Sequence, residues 1–296
     1  MTPASNRVTI VDVSPRDGLQ NEKAVVPTIA KVELVDRLSA AGVPVIEVTS
    51  FVSPRAIPQL ADAEHVMAGI TRRAGTRYTV LVPNARGLDR ALPTKPDGIV
   101  VFGAASETFS QRNINCSIAE SLERFQPVVM QAKAAGLHVR GTVSCALGCP
   151  YEGDIAPEAV ARVASALLEL GVDELSIADT IGVGHPEQVT RVFEGVLRLT
   201  DASRVNAHFH DTYGRALANL ESCLALGVRS IDASAAGLGG CPYAPGATGN
   251  VATEAVLARL LAQGYVTGVD LTALTAAGAF IRGVLASSEA HPAEPS

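Results

Sequence analysis

The pattern His208-Phe209-His210 points most directly to chemistry in this sequence. Alternate residues of a β-strand face the same side, so these two imidazoles lie about 7 Å apart along the chain and can share one metal ion. Taken alone, the pair could equally be two unrelated polar residues at a strand end. Asp17 follows the first predicted strand and reaches the same ion if the strands close into a barrel. We therefore predict a divalent cation held by Asp17, His208 and His210.

Polar side chains also follow most of the other predicted strands. Buried polar groups cost several kcal/mol unless they are paired, so such clustering requires a reason. Glu47 ends the second strand, and its simplest role is a bidentate ion pair with Arg16. Arg16 could also orient a substrate carboxylate or polarise a carbonyl. The remaining candidates at strand ends include Ser50, Asp179 and Thr180.

The glycine-rich segment at 237–250 carries two further candidates. A free cysteine is usually a small buried hydrophobe, and we expect this of Cys116, Cys145, Cys149 and Cys223. Cys241 differs because Gly239 and Gly240 precede it, so its thiol can approach a ligand as a proton donor or nucleophile. Asn250 could cap the following helix, or its amide oxygen could ligate the ion.

Eight short β-branched segments must position these residues. They span residues 8–13, 45–49, 77–82, 98–102, 139–145, 174–178, 204–208 and 230–233. Helical segments alternate with them, and eight such units favour a closed TIM (β/α)8 barrel, whose active site lies at the carboxyl ends of the strands. A doubly wound sheet is the alternative, but it would need a G-x-G-x-x-G turn after the first strand, where Ser14-Pro15-Arg16-Asp17-Gly18 stands instead.

The helical segments predict a single catalytic domain. Five of them span 30–41, 117–135, 157–170, 186–199 and 215–226, and four end at a glycine followed by an apolar residue: Gly42, Gly136, Gly171 and Gly227. A glycine there supplies the left-handed position that ends a helix. We place the barrel at about 8–265, C-terminal helical structure at about 266–286, with a helix from 270, and a frayed tail at 287–296.

Composition excludes several classes of protein. Hydrophobic residues make up 47% of the chain and aromatic residues 4%, which predicts a large, aliphatic core and no extensive disorder. The net charge of −6 argues against nucleic-acid binding. We find no run of about 18 apolar residues and no room for a leader peptide before residue 8, so we expect a cytoplasmic protein without membrane contact. Five cysteines without a C-x-x-C pair argue against disulfides and a zinc ribbon.

Seven motifs together resemble the 3-hydroxy-3-methylglutaryl-CoA (HMG-CoA) lyase family, from about residue 8 to 280. They are Ser14-Pro-Arg-Asp-Gly-Leu-Gln-Asn-Glu-Lys23, Glu47-Val-Thr-Ser-Phe-Val-Ser-Pro54, Phe102-Gly-Ala-Ala-Ser-Glu107, Ser144-Cys-Ala-Leu-Gly-Cys-Pro-Tyr-Glu-Gly153, Ala178-Asp-Thr-Ile-Gly-Val-Gly184, His208-Phe-His-Asp-Thr-Tyr-Gly214 and Gly237-Leu-Gly-Gly-Cys-Pro-Tyr243. The Arg-Asp-Gly and His-x-His elements are shared with isopropylmalate, homocitrate and citramalate synthases and carboxyltransferase domains. The cysteine segment and Asn113-Ile-Asn-Cys-Ser117 are more specific to the lyase.

The resemblance implies a metal-dependent retro-aldol cleavage of HMG-CoA to acetyl-CoA and acetoacetate. It implies Mg²⁺ or Mn²⁺ bound by Asp17, His208, His210 and Asn250, and catalytic roles for Arg16, His208 and Cys241, with Glu47 and Asp179 as supporting acids. Cys241 would protonate the enolate of acetyl-CoA, and the base would be His208 or Asp17 acting through water. We predict substrate contacts from Arg16, Gln20, Ser50 and Thr180.

One residue departs from the family pattern. Thr142 stands where the family usually places an aromatic residue, which leaves open a lyase for a longer 3-hydroxy-3-alkylglutaryl-CoA. A Claisen-type acyl-CoA synthase and a non-catalytic barrel protein are two further hypotheses. The expected partners are an acyl-CoA substrate and a second copy of the chain in a homodimer.

Overall fold

Eight parallel strands form a closed barrel in the computed structural model, which describes residues 6–239 and 249–290. Each strand pairs with its neighbours in chain order, and the last pairs with the first, Thr9 beside Ser230. The barrel prediction is confirmed, and the doubly wound sheet is excluded because such a sheet stays open. The strands are β1 (Thr9–Asp12), β2 (Val45–Ser50), β3 (Arg77–Leu81), β4 (Gly98–Ala104), β5 (His138–Ser144), β6 (Glu174–Asp179), β7 (Val205–Phe209) and β8 (Ser230–Ala233).

Helices follow the strands and surround the barrel. They are α1 (Thr28–Ala40), α2 (Ala63–Gly69), α3 (Ala85–Ala91), α4 (Glu107–Ile114), α5 (Ile118–Ala134), α6 (Pro157–Leu170), α7 (Pro186–Leu197), α8 (Ala216–Ala225), α9 (Thr253–Ala262) and α10 (Leu271–Ala290). The five predicted helices within the barrel are α1, α5, α6, α7 and α8. The sequence analysis did not identify α2, α3, α4 or α9; of these, α2, α3 and α4 have only seven or eight residues, too few for a helical period to stand out.

Local sequence signals explain where several helices begin and end. Gly42, Gly136, Gly171 and Gly227 all have φ between +76° and +96°, so the predicted glycine stops are confirmed. At the start of α5, the Ser117 hydroxyl accepts a hydrogen bond from the Glu120 amide at 3.1 Å. The Glu120 carboxylate in turn accepts from the Ser117 amide at 2.8 Å, which completes a capping box.

Apolar packing fills the layer between the strands and the helices, whereas the barrel interior contains charged and polar side chains as well as apolar ones. In α6, for example, Val160 and Leu167 are fully buried against the sheet. Inside the barrel, Arg140 of β5 donates to Asp232 of β8 at 2.8 Å, and these two strands are not neighbours. The expectation of an aliphatic core therefore holds for the outer layer, whereas the interior holds charged groups that cross from strand to strand as well as a small cluster of Val11, Val13 and Val45.

The C-terminal helix α10 packs on this scaffold. Leu274, Ala277 and Ile281 are fully buried, and the Arg37 guanidinium of α1 stacks 4.6 Å from the centre of the Phe280 ring. The helix continues to Ala290, past the predicted boundary at residue 286. Its window Leu271–Ser288, 22% buried, is long and apolar enough by length and composition to cross a membrane. This window is not an uninterrupted apolar run, because threonines, glycines and one arginine interrupt it.

Candidate metal and substrate site

A π-helical turn after β1 positions Arg16 and Asp17. The amides of Asp17 and Gly18 both donate to the Val13 carbonyl, at 2.8 and 3.1 Å. Gly18 is required there, because a β-carbon would lie 2.9 Å from the Leu238 β-carbon and from the Ser234 hydroxyl. Single π-helical turns are rare and occur frequently at functional sites. This turn places two consecutive charged side chains at the carboxyl end of the barrel.

The structure brings the three predicted metal ligands together. One ligand atom from each of Asp17, His208 and His210 lies within 4.8 Å of the others. His210 Nε2 lies 3.6 Å from Asp17 Oδ2, and the two imidazole ring centres are 5.3 Å apart. Both histidines are buried. A carboxylate and two imidazoles at this spacing suit one divalent cation.

The electrostatic surroundings keep Asp17 ionised. Burial alone would raise its pKa, but the Arg16 guanidinium and the two histidines together hold the pKa of Asp17 well below its usual range. A metal-binding carboxyl must be deprotonated. The residues present therefore fit a bound cation.

Arg16 is fixed between two carboxylates. Its Nε donates to Glu47 Oε1 at 2.6 Å, and its Nη1 donates to Asp17 Oδ1. Burial would lower the pKa of Arg16, but Glu47 and Asp17 raise it, so the guanidinium stays charged. The predicted pair of Arg16 and Glu47 is thus present, and it holds the guanidinium at the edge of a cavity at the carboxyl end of the barrel.

A residue that the sequence analysis missed, Asp232, orients His208. Asp232 Oδ2 lies 3.1 Å from His208 Nδ1, and its other oxygen accepts from Arg140 at 2.8 Å. Burial would raise the pKa of Asp232, but Arg140 and His208 lower it, so the group remains a carboxylate. This contact leaves His208 Nε2 for the ion, a common arrangement in metal sites. Alternation along β8 could have shown that Asp232 faces inward, but not which side chains it meets.

Asn250 lies beside Asp17. Its side-chain nitrogen donates to Asp17 Oδ2 at 2.8 Å, and its backbone forms a bridge with His210. Helix α9 begins at Thr253 with Ala252 as the capping position, so the alternative role of Asn250 as a helix cap is wrong. To ligate an ion, the amide would have to present its oxygen.

Three other predicted residues form hydrogen bonds with the backbone of the loops around the site. Asp179 accepts from the amides of Val183 and Gly184 at 3.1 and 2.9 Å, and burial raises its pKa. Thr180 Oγ1 accepts from the Cys145 amide at 2.8 Å and also lines the cavity. Ser50 Oγ accepts from the Val52 amide at 3.3 Å, and this fully buried residue does not line the cavity.

A cavity of about 530 Å³ joins these groups. Its lining includes the predicted residues Arg16, Asp17, Gln20, Glu47, Thr180, His208 and His210, together with Phe102, Phe109, Thr142 and Asp232. The volume suits a small organic substrate. Cys241 lies outside the described residues, so its predicted role stays a prediction.

Comparison with known proteins agrees with the sequence resemblance. The HMGL-like family model matches residues 7–281. The mitochondrial hydroxymethylglutaryl-CoA lyase of Bos taurus is 52% identical, over 93% of this chain and 85% of its own length. The crystal structure of the HMG-CoA lyase from Brucella melitensis superposes with a TM-score of 0.93 at 51% identity, over 95% of this chain and 99% of the other.

A further solved structure carries ligands. It is an HMG-CoA lyase from Acinetobacter baumannii in complex with coenzyme A and 3-methylmalate, with a TM-score of 0.91, 38% identity, and coverage of 97% of this chain and 93% of the other. The matches extend over nearly the whole chain and include every motif on which the resemblance rested. The chain therefore belongs to the HMGL-like family, the family of the HMG-CoA lyases.

Proposed function

We propose that this protein cleaves 3-hydroxy-3-methylglutaryl-CoA to acetyl-CoA and acetoacetate. The proposal agrees with the names of its relatives at about half identity, which are lyases. A carbon–carbon lyase needs one group that polarises the hydroxyl oxygen and another that accepts charge at the thioester. The single observation that carries the proposal is the cluster of Asp17, His208 and His210 in one cavity with Arg16.

The three clustered residues would hold Mg²⁺ or Mn²⁺, with the Asn250 amide oxygen as a fourth protein ligand. When bound, such an ion acts as a Lewis acid that lowers the pKa of the substrate's tertiary hydroxyl. The proton of that hydroxyl would pass to one of the two bases suggested by sequence, His208 or Asp17 acting through water.

Arg16 would stabilise the negative charge that develops on the thioester oxygen as the C2–C3 bond breaks. Its position supports this role, because Glu47 and Asp17 hold the guanidinium from two sides before substrate arrives. Donors fixed in advance cost no reorganisation during the reaction. Gln20 and Thr180 line the same cavity and would contact the substrate. Cys241 would then protonate the carbon of the acetyl-CoA enolate, as the resemblance implies.

Two measurements test the proposal. Acetoacetate release from HMG-CoA should require added Mg²⁺ or Mn²⁺ after EDTA treatment; full turnover by the stripped protein would remove the metal from the mechanism. Cys241→Ser should lose most turnover while binding the cation with unchanged affinity. Cys116→Ser is the matched control, because Cys116 is buried beside α5, outside the cavity lining, and this variant should keep most of its turnover.

Thr142 supports a second candidate substrate. It lines the cavity with Phe102 and Phe109, so a threonine there leaves more space than an aromatic residue would. A lyase for a longer 3-hydroxy-3-alkylglutaryl-CoA would follow. A panel of CoA thioesters with increasing alkyl length separates the two candidate substrates. If kcat/KM is highest for the methyl compound, HMG-CoA is the substrate; if it is highest for a longer chain, the alternative is supported.

Compartment, assembly and domain limits remain proposals. The relatives include proteins named mitochondrial and proteins named cytoplasmic, and we propose the cytoplasm for this chain. We also propose a homodimer that binds neither nucleic acid nor membrane, and a single catalytic domain whose barrel ends near residue 265 and is followed by C-terminal helical structure. Light scattering checks the dimer, and limited proteolysis checks the domain limits.

A further inference from the structure

A second cavity, of about 570 Å³, lies at the other end of the barrel. Its lining includes the first residues of five strands: Thr9, Arg77, His138, Glu174 and Ser230. The amino ends of barrel strands ordinarily contribute to stability, not to binding. We call this space the basal cavity.

Cationic side chains surround the basal cavity. Arg7, Arg77 and Arg229 line it together with His138. The two acidic residues of the lining, Asp173 and Glu174, are already paired with cations outside the lining: Asp173 with Lys133, and Glu174 with Arg140 at 3.1 Å.

Further hydrogen bonds occupy the same carboxylates. Asp173 accepts from the Val139 amide at 2.8 Å, and Glu174 accepts from the Ser230 hydroxyl at 3.0 Å. Three arginines and two carboxylates line the cavity, and both carboxylates also bind groups outside the lining, so the cavity presents net positive charge.

Arg77 has a guanidinium donor that this arrangement leaves without a hydrogen-bond partner among the described residues, although Glu174 attracts its charge. Its Nε is buried and has no hydrogen-bond partner among the described residues, and no ion pair is formed by its guanidinium within them. Burial lowers the pKa of Arg77, and burial together with Arg77 lowers the pKa of His138. A buried donor without a hydrogen-bond partner is costly, and a ligand oxygen would satisfy it.

We propose that the basal cavity binds a phosphoryl group, with Arg77 as its principal contact. Guanidinium groups bind phosphate oxygens through two parallel hydrogen bonds, and arginine is better suited to this than lysine. The cavity volume lies in the range of small-molecule sites, so inorganic phosphate and a small phosphate monoester both fit.

The basal cavity is separate from the proposed catalytic site. Strand β5 has seven residues and a rise of about 3.3 Å per residue, so its two ends lie roughly 20 Å apart. A ligand in the basal cavity therefore does not overlap the substrate. Phosphate should not compete with HMG-CoA, and the proposal does not depend on the lyase activity.

The test is isothermal titration calorimetry with the full chain at constant ionic strength. Inorganic phosphate and glucose 6-phosphate are titrated in separate experiments. We expect saturable 1:1 binding of at least one of them to the wild type and at least a tenfold loss of affinity in Arg77→Gln. Arg77→Lys keeps the charge and should lose less. Arg191→Gln removes an exposed arginine of α7 that is outside the cavity lining, and should bind as the wild type does.

Thermal unfolding separates binding from folding. Without phosphate, Arg77→Gln should unfold cooperatively, as the wild type does, which shows that the variant is folded. Phosphate should raise the unfolding temperature of the wild type and not that of Arg77→Gln. Three results would overturn the proposal. They are equal binding by Arg77→Gln and wild type, loss of binding only in Arg16→Gln, and no saturable binding of either compound.

Discussion

Replacing Asp232 with asparagine should weaken the metal site without removing a ligand. Asparagine has nearly the same shape, but it loses the negative charge that now lies 3.1 Å from His208 Nδ1 and bonds Arg140 at 2.8 Å. Loss of such a supporting carboxylate costs about 10- to 100-fold in metal affinity, or about 1.4–2.7 kcal/mol. Arg140 keeps its pair with Glu174, so we expect the free energy of unfolding to fall by only about 1–3 kcal/mol.

The assay is calorimetric titration of Mn²⁺ into metal-free protein, run beside steady-state turnover of HMG-CoA. Ser176→Ala is the matched control: its hydroxyl bonds Asp232 at 3.3 Å and Asn206 at 2.9 Å in the same buried network, and no contact with His208 is shown for it. The control should bind Mn²⁺ within about threefold of wild type. If Asp232→Asn also binds Mn²⁺ that well, the orienting role of Asp232 is refuted.

Three further predictions concern loops, pH and charge. Gly184→Ala should destabilise the site, because a β-carbon there would lie 2.4 Å from Leu147 Cδ1 and 2.8 Å from Asp179 Oδ2. Gly195→Ala, in open space within α7, should instead stabilise the fold by about 0.5–1 kcal/mol, and urea unfolding measures both. Burial, opposed by hydrogen bonds from Ser14 and Thr253, raises the pKa of Asp12 from 3.8 to about 6. Because the pKa of Asp12 is higher in the folded state, its contribution to stability is full below pH 3.8, where the group is protonated. That contribution, about 3 kcal/mol, is lost as the pH rises to 6 and the group ionises. Asp12→Asn should remove that loss, so its stability relative to wild type should increase between pH 4 and pH 7; a constant difference would contradict the assignment. Arg16→Lys should lower kcat by more than tenfold with a small change in KM, because one ammonium cannot bond Glu47, Asp17 and the substrate together; an unchanged kcat would exclude Arg16 from charge stabilisation.

Much of the candidate site could be predicted from the sequence because its residues follow strands. Parallel strands of a barrel end at the same face, so a residue placed after β1 and two placed at the end of β7 must converge. Asp17, His208 and His210 are the example. The loop roles of Asp179 and Ser50 could not be predicted in this way, because a side chain at a strand end can turn toward its own loop as easily as toward the cavity.

The sequence by itself determined the repeated β/α pattern, the glycine stops of four helices and the family, because these depend on local backbone preferences and on matching motifs. Only the tertiary structure decided which buried charges meet. Arg140 and Asp232 are 92 residues apart, and their contact depends on the closure and stagger of the strands. The same closure brings Arg77 to the basal cavity while Arg140 pairs with Glu174, which leaves Arg77 Nε without a hydrogen-bond partner among the described residues. Side-chain partners across a barrel interior are set by register, and register is a property of the closed sheet.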